Sequence, residues 1–358
     1  MSNREIFSAK GLPVLQNKMF RSAEEAIASA TGDILLVQNE RTGLIYNAAF
    51  DSSKLNYDQD YQNEQACSSV FKKHLGEVSA IIEKFFQGRS LIEVGCGKGY
   101  FLEHLLNLGF EVTGIDPAYE GHNQNVVKTH FHRDLGISAD GIVLRHVVEH
   151  IPEPLSFLAM LASANGGKGT IYIEVPCFDW ICDHRAWFDI FYEHVNYFRI
   201  QDFSRMFGHI YDCGHVFGGQ YLYVLADLAT LRQPVALHSD HVEMPDDFMS
   251  GVNRAAVLVR TATGRKKNVV WGGASKGVIF LLYMQRAGVV IDGVIDINPA
   301  KQGRYLAGCG LRVSSPEDSF GYLSASDNIF VMNSNYLDEI VAQSGNRFCY
   351  FTVDHEKI

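Results

Sequence analysis

The sequence predicts an α/β protein built from two Rossmann-like units, the second smaller than the first, with a small N-terminal domain ahead of them. Three observations predict this class. Leu91-Ile92-Glu93-Val94 is a short apolar run carrying an acid, Gly95-Cys96-Gly97-Lys98-Gly99 brings glycine at alternate positions, and Phe101-Leu102-Glu103-His104-Leu105-Leu106 has helical spacing. That is a buried strand, a tight turn and a helix start. The same order recurs at Asn268-Val269-Val270-Trp271, the turn Gly272 to Gly277 and the helical stretch behind it. Between the two, apolar strands alternate with helical patterns, which implies a mostly parallel sheet covered on both faces.

The first region offers a helix over Ser22 to Ala30, a turn at Thr31-Gly32-Asp33, a strand Ile34 to Val37, a polar turn Asn39 to Thr42 and a strand Gly43 to Tyr46. Val70 to Phe86 has helical spacing and leads into the glycine turn. Strands follow at Glu111 to Asp116, Gly141 to Leu144 and Gly169 to Pro176, with a helix after Pro152-Glu153-Pro154. Gln201 to Phe207 reads as helix, and the runs on either side of Gly218-Gly219 as a closing antiparallel pair. Arg232 to Asp247 is polar and reads as a linker, and Phe248 to Thr263 as a helix. The second unit then closes with the strand Gly293 to Asp296. Domain borders are expected at 1–70, 71–235 and 236–358.

Composition narrows the function classes. The chain has 358 residues, 47% hydrophobic and 20% charged, with a formal net charge of −10. This is the balance of a soluble protein with a full core, and it disfavours nucleic acid as a partner, since that calls for a basic patch. No apolar signal core opens the chain and no run approaches a bilayer's width, so a cytoplasmic place and no membrane partner are expected. The seven cysteines are scattered without a C-x-x-C pair, as reduced thiols would be. Cys177 and Cys182 lack a second pair for a zinc site, and His122, His130 and His132 have no metal-ligand spacing, so no metal is expected.

Glycine leaves a ligand free to lie on bare backbone, and the helix N-terminus behind the turn offers N–H groups to an anion. Asp116, at the end of the next strand, is placed to grip ribose hydroxyls. A dinucleotide loop would have G-x-G-x-x-G. Here the spacing is G-x-G-x-G after Glu93. The form E-x-G-x-G-x-G resembles the nucleoside-binding loop of class I S-adenosylmethionine methyltransferases. The resemblance implies S-adenosylmethionine as cofactor, held by Glu93, Gly95, Cys96, Gly97, Gly99, Asp116 and Pro117, with Arg145 and His146 beside the methyl donor and Gln65 facing the cofactor.

A narrower resemblance spans most of the chain. The glycine loop, Asp58 to Gln65, Tyr192-Glu193-His194-Val195-Asn196-Tyr197-Phe198, and Trp271 to Gly277 followed by Asp296 to Tyr305 are similar to the C-methyltransferases of nucleotide-linked keto-sugars. Leu12-Pro13-Val14-Leu15-Gln16-Asn17 matches that family's opening, but Asn39 and Thr42 stand where relatives carry zinc thiolates. A zinc site there is not expected.

The resemblance implies roles. Carbon methylation beside a carbonyl needs a base, and His194 is the implied one, with Glu193 orienting it or binding substrate. The alternative for His194 is to organise its loop. Tyr61 would stabilise an enolate by hydrogen bonding or cap the cofactor pocket, with Tyr57 as its substitute. His150 reads as structural. Gly273, Ser275 and Lys276 are expected to hold a diphosphate or other anionic part of the substrate, or else the turn serves folding alone. The expected reaction is methyl transfer to carbon in a small molecule such as a nucleotide-sugar, by a monomer or homodimer. Competing readings are O- or N-methylation, a nicotinamide-dependent oxidoreductase, and a cofactor-binding protein without catalysis.

Overall fold

The chain opens on a strand that its residue pattern conceals. The computed structural model describes residues 3–58, 60–86, 90–237, 240–261 and 266–354. Strand β1 (Asn3–Pro13) is followed by β2 (Met19–Phe20), helix α1 (Ala23–Ile27), β3 (Thr31–Asn39) and β4 (Ile45–Asn47). Strands β1 and β3 pair antiparallel, with register shifts between Glu5 and Phe7 and between Ala9 and Leu12. Such bulges break the two-residue alternation by which a strand announces itself. Ser22 caps α1, its Oγ accepting from the Glu25 N–H at 3.2 Å.

Thr31-Gly32-Asp33 is not a turn; it begins β3, with Leu12 opposite Gly32 and Pro13 opposite Thr31. Glycine at 32 serves close approach: a Cβ there would sit 2.1 Å from a ring carbon of Tyr192.

The middle region comprises α2 (Ser69–Phe85), β5 (Ser90–Val94), α3 (Tyr100–Asn107), β6 (Glu111–Ile115), β7 (Val126–Val127), β8 (Gly141–Arg145), α4 (Pro154–Ala164), β9 (Thr170–Pro176), α5 (Phe178–Asp183), β10 (Asn196–Tyr197), α6 (Ile200–Met206), β11 (Ile210–Val216) and β12 (Tyr221–Asp227). Its seven-stranded sheet runs β11-β12-β9-β8-β5-β6-β7. Strands β5 to β9 within it are parallel, whereas β12 is antiparallel to both its neighbours. Ile92, Val143, Leu144, Ile171 and Ile173 are all buried. Their strands read as continuous apolar runs because helices cover both faces. The order reverses at β5, and an open α/β sheet places its ligand crevice at that reversal, beyond the carboxyl ends.

The C-terminal region holds α7 (Ser250–Thr261), β13 (Asn268–Trp271), α8 (Lys276–Arg286), β14 (Gly293–Ile295), β15 (Tyr305–Leu306), β16 (Val313–Ser314), α9 (Pro316–Tyr322), β17 (Asn328–Val331), α10 (Leu337–Gln343) and β18 (Cys349–Thr352). A second, all-parallel sheet runs β16-β14-β13-β17-β18 and reverses at β13. The architecture is thus α/β with two Rossmann-like sheets. The two residues expected to end α7, 262 and 263, lie outside the described residues, as does Gln59.

The three regions interlock. Strand β10 of the middle region completes the N-terminal sheet by pairing with β4, and β15 of the C-terminal region pairs with β2. The polar stretch expected as a linker lies back on the N-terminal sheet. The Gln38 amide donates to the Asp240 carbonyl at 2.7 Å, the Val242 N–H to Gln38 Oε1 at 3.1 Å, and Arg4 pairs with Glu243 at 2.6 Å. Residues 238 and 239 of that stretch are outside the described residues. Among those described, no helix is long and apolar enough to cross a membrane.

Candidate active site

The carboxyl ends of the parallel strands of both sheets open into one cavity of about 370 Å³. Its walls carry Glu93, Gly95, Cys96 and Gly97 from the first glycine turn and Gly272, Ala274, Ser275 and Lys276 from the second. Sequence-expected residues Gln65, Arg145, His146, Tyr61, Glu193 and His194 also line it. Gly99, Asp116, Pro117 and Gly273 do not.

The first turn is left-handed at Gly95 (φ +77°), Gly97 (+56°) and Gly99 (+83°), which only glycine adopts freely. A Cβ on Gly95 would lie 2.4 Å from Val147 Cγ2, whereas one on Gly97 would meet nothing within 4 Å. Bare backbone therefore faces open space at Gly97. The Gly97 N–H donates to Asp116 Oδ2 and the Ala118 N–H to Oδ1, each at 2.8 Å, which fixes the carboxylate beside the loop. The Cys96 thiol is buried against Gly114 and its pKa is pushed up by that burial.

Glu93 is 3% exposed, and among the described residues its Oε2 has no hydrogen-bond partner. Burial pushes its carboxyl up to about 7, against the pull of Arg145. A buried acid with one unpaired oxygen at a bare-backbone turn fits a ligand that carries a positive charge.

Arg145 is tied to the buried hub Glu174. Arg145 donates to Glu174 at 3.1 Å, Tyr172 donates at 2.8 Å, and the His74 and His146 rings approach at 3.2 Å. Burial opposes the Glu174 charge, but Arg145 and the two histidines hold the carboxyl well below its usual range. His146 has φ +53°, an uncommon conformation for a side-chain-bearing residue. Burial works against its charge too, yet Glu149 and Glu174 raise it to about 9.

At the other end of the cavity, Glu193 accepts from the Gln16 N–H at 2.6 Å and from the Tyr61 hydroxyl at 2.7 Å. The Tyr57 hydroxyl reaches the same oxygen at 3.5 Å, and the two phenol rings meet edge to face. Burial, then the Glu193 charge, drive the Tyr61 pKa well above its usual value, so the phenol stays a donor. His194 is 9% exposed and packs edge to face with Phe191 and His150. Burial keeps it well below the usual histidine range. Glu193 makes no hydrogen bond to the His194 ring, so the expected orienting bond is not formed; its backbone carbonyl accepts from His150 Nδ1 at 2.9 Å instead.

The second turn is built differently. Ser275 has φ +39°, and a Cβ on Gly277 would fall 1.9 Å from the Gly272 carbonyl oxygen. Asp296 accepts from the Gly273 N–H and the Asn298 N–H at 2.8 Å each and from Lys301 at 3.1 Å. Lys276 pairs with buried Asp189 at 2.9 Å, donates to Gln220 and lies over Trp180.

The lysines and arginines on the wall are thus already paired: Lys98 with Glu120, Arg145 with Glu174, Lys276 with Asp189 and Lys301 with Asp296. Among the described residues, Glu93, Glu149 and Glu193 line the same cavity without a lysine or arginine partner. Glu149 and Asp189 were not singled out from sequence. The sequence signal for Glu149 is its place beside His150, just past the end of β8.

Two family models match the middle and C-terminal regions. Residues 64–210 match the family described as a methyltransferase domain, and residues 247–348 match a C-methyltransferase C-terminal domain. A ubiquinone biosynthesis O-methyltransferase of Ruegeria pomeroyi is 32% identical over 115 residues, 28% of this chain and 43% of the relative. Another from Paramagnetospirillum magneticum is 30% identical over 105 residues, 25% of this chain and 40% of the relative. The chain spans less than half the length of these curated relatives. A SAM-dependent methyltransferase structure from Archaeoglobus fulgidus aligns with TM-score 0.36 at 18% identity, over 44% of this chain and 93% of that one. Residues 64–210 are thus similar to a methyltransferase domain and residues 247–348 to a C-methyltransferase C-terminal domain.

Proposed function

We propose that the protein methylates carbon next to a carbonyl in a small molecule, such as a nucleotide-linked keto-sugar, at the expense of S-adenosylmethionine. The observation that carries this reading is the single cavity joining the glycine turn to the Tyr61–Glu193 pair. The cofactor, when bound, supplies an electrophilic methyl whose C–S electron pair departs on sulfur. The turn Gly95 to Gly99 would hold its nucleoside, and Glu93 would balance its positive charge.

The chain's own residues prepare the carbon. Glu193 is a carboxylate held at both oxygens, by Gln16 and by Tyr61, yet balanced by no lysine or arginine among the described residues. It takes the proton from the α-carbon, and the C–H electron pair moves onto the carbonyl oxygen. Sequence resemblance implied His194 for this step, but the fixed and unbalanced charge is on Glu193. The enolate carbon then takes the methyl, with positioning in the cavity supplying much of the acceleration.

A second reading, transfer to oxygen, is favoured by the names of the relatives alone. A phenol or alcohol acceptor needs no carbon acid. The test is α-proton exchange: a candidate keto-sugar nucleotide is held in D₂O with the chain and S-adenosylhomocysteine, and exchange is followed by NMR. Exchange that Glu193→Gln abolishes, with homocysteine-nucleoside binding intact, supports carbon methylation. Methyl transfer without exchange, unaffected by E193Q, overturns it. A nicotinamide site at the second turn is disfavoured because Lys301 and two N–H groups already occupy Asp296.

A further inference from the structure

We propose that Glu149, His150 and His194 form a binding site for one divalent first-row transition-metal ion at the acceptor end of the cavity. Their ligand atoms all lie within 4.8 Å of one another. Two imidazoles and one carboxylate on one side of an open cavity are a donor set for Fe²⁺, Mn²⁺, Co²⁺ or Zn²⁺.

An observation independent of the cluster points the same way. Glu149 is 1% exposed, and among the described residues neither of its carboxylate oxygens has a hydrogen-bond partner. His146 Nδ1 stands 3.3 Å from Oε1 but outside hydrogen-bond geometry. His146 offsets part of this charge from one side, and both oxygens keep lone pairs free for a metal ion. Glu149, His150 and His194 all line the cavity, so an ion among them would keep coordination positions open toward it.

The surroundings preset the ligands. His150 donates from Nδ1 to the Glu193 carbonyl at 2.9 Å, which leaves the lone pair on Nε2. A backbone acceptor of this kind fixes the tautomer of a metal-binding histidine. The His194 ring makes no hydrogen bond among the described residues and is held by Phe191 and His150. Asn196 ties the two segments together by donating to the Val148 and Ile151 carbonyls at 3.3 and 2.7 Å. The loop after β8 and the loop before β10 are thereby locked at the separation the donor set needs.

This inference rests on the proposed function for the ion's use. An acceptor carbonyl oxygen on the ion would be polarised toward the enolate, and Glu193 would receive the proton beside it. His194 is then a ligand, which accounts for its place in the site without making it the base.

The test uses the whole chain, stripped with a chelator and dialysed. Co²⁺ is titrated and followed by its visible d–d absorption and by calorimetry. The expected result is one ion per chain, with Glu149→Gln and His194→Gln each weakening it by roughly tenfold or more. S-adenosylhomocysteine affinity, measured on the same samples, reports that the variants are folded. Absence of Co²⁺ binding in the wild-type chain overturns the proposal, and needs no variant to do so. Binding that both folded variants retain unchanged overturns it as well, since the ion would then sit elsewhere. Failure of the exchange assay with Co²⁺ bound at this site would count against carbon methylation and leave the metal site standing.

Discussion

Glu93 gives the sharpest handle on the cofactor end. Its carboxyl is raised from 4.5 to about 7 by burial, so ionising it in the folded chain costs about 3 kcal/mol more than in water. The folded chain therefore keeps a proton that the unfolded chain loses between those values. Its contribution to stability is fully present below the unfolded value and is lost as pH rises through about 7. A cationic ligand prefers the ionised form and must expel the proton when it binds below that point. If only ionised Glu93 binds S-adenosylmethionine, affinity rises about tenfold from pH 6 to pH 8, following the ionised fraction. Calorimetry in two buffers of different ionisation enthalpy counts the proton released. Glu93→Gln cannot ionise, so its affinity should lose this slope, and any titration of the ligand itself cancels in the comparison. Equal slopes in the wild-type and variant chains would refute the argument.

Two further outcomes follow from the turns. Gly95→Ala forces a side chain into a left-handed backbone and 2.4 Å from the branched Val147, which should cost about 2–5 kcal/mol of stability and at least roughly tenfold in S-adenosylhomocysteine affinity, read by denaturant unfolding and calorimetry. Lys276→Met leaves Asp189 buried without its cation, with side chains 14% and 9% exposed, so urea unfolding should show a loss of about 3–5 kcal/mol that K276M/D189N largely restores.

What was legible in the sequence was local. The glycine positions of the first turn dictate their own backbone, and Glu93 and Gly97 reach the cavity wall from that geometry alone. Ser22 marks the start of α1 because a cap acts on the N–H three residues away. The rest required tertiary contact. Strand β1 escaped because two bulges erase its alternation, and Gly32 passed for a turn residue because the Tyr192 ring it accommodates lies in a distant segment. Glu149 and His194 meet only because β10 leaves the middle region to pair with β4, and Asn196 then grips the loop after β8. No spacing along the chain encodes that convergence. Lys276 was expected as a free cation for an anion; its partner Asp189 lies on the segment after α5 and is invisible to the motif.

The two Rossmann-like units spend the same acid differently, and this separates their uses. In each, the aspartate ending the second strand accepts from a glycine N–H of the turn and from the N–H two residues on. Asp116 stops there: it is half-buried and each oxygen keeps a lone pair for a diol. Asp296 is 7% exposed, and its Oδ2 also takes Lys301. A ribose at the second turn would have to displace a buried ion pair, whose rupture leaves a charge uncompensated. The first turn meets no such cost, and Glu93 beside it lacks the positive charge that a sulfonium nucleoside brings. Charge balance thus favours the first turn for the proposed cofactor. The second turn is left to wall the acceptor side of the cavity, with its lysines neutralised before any ligand arrives.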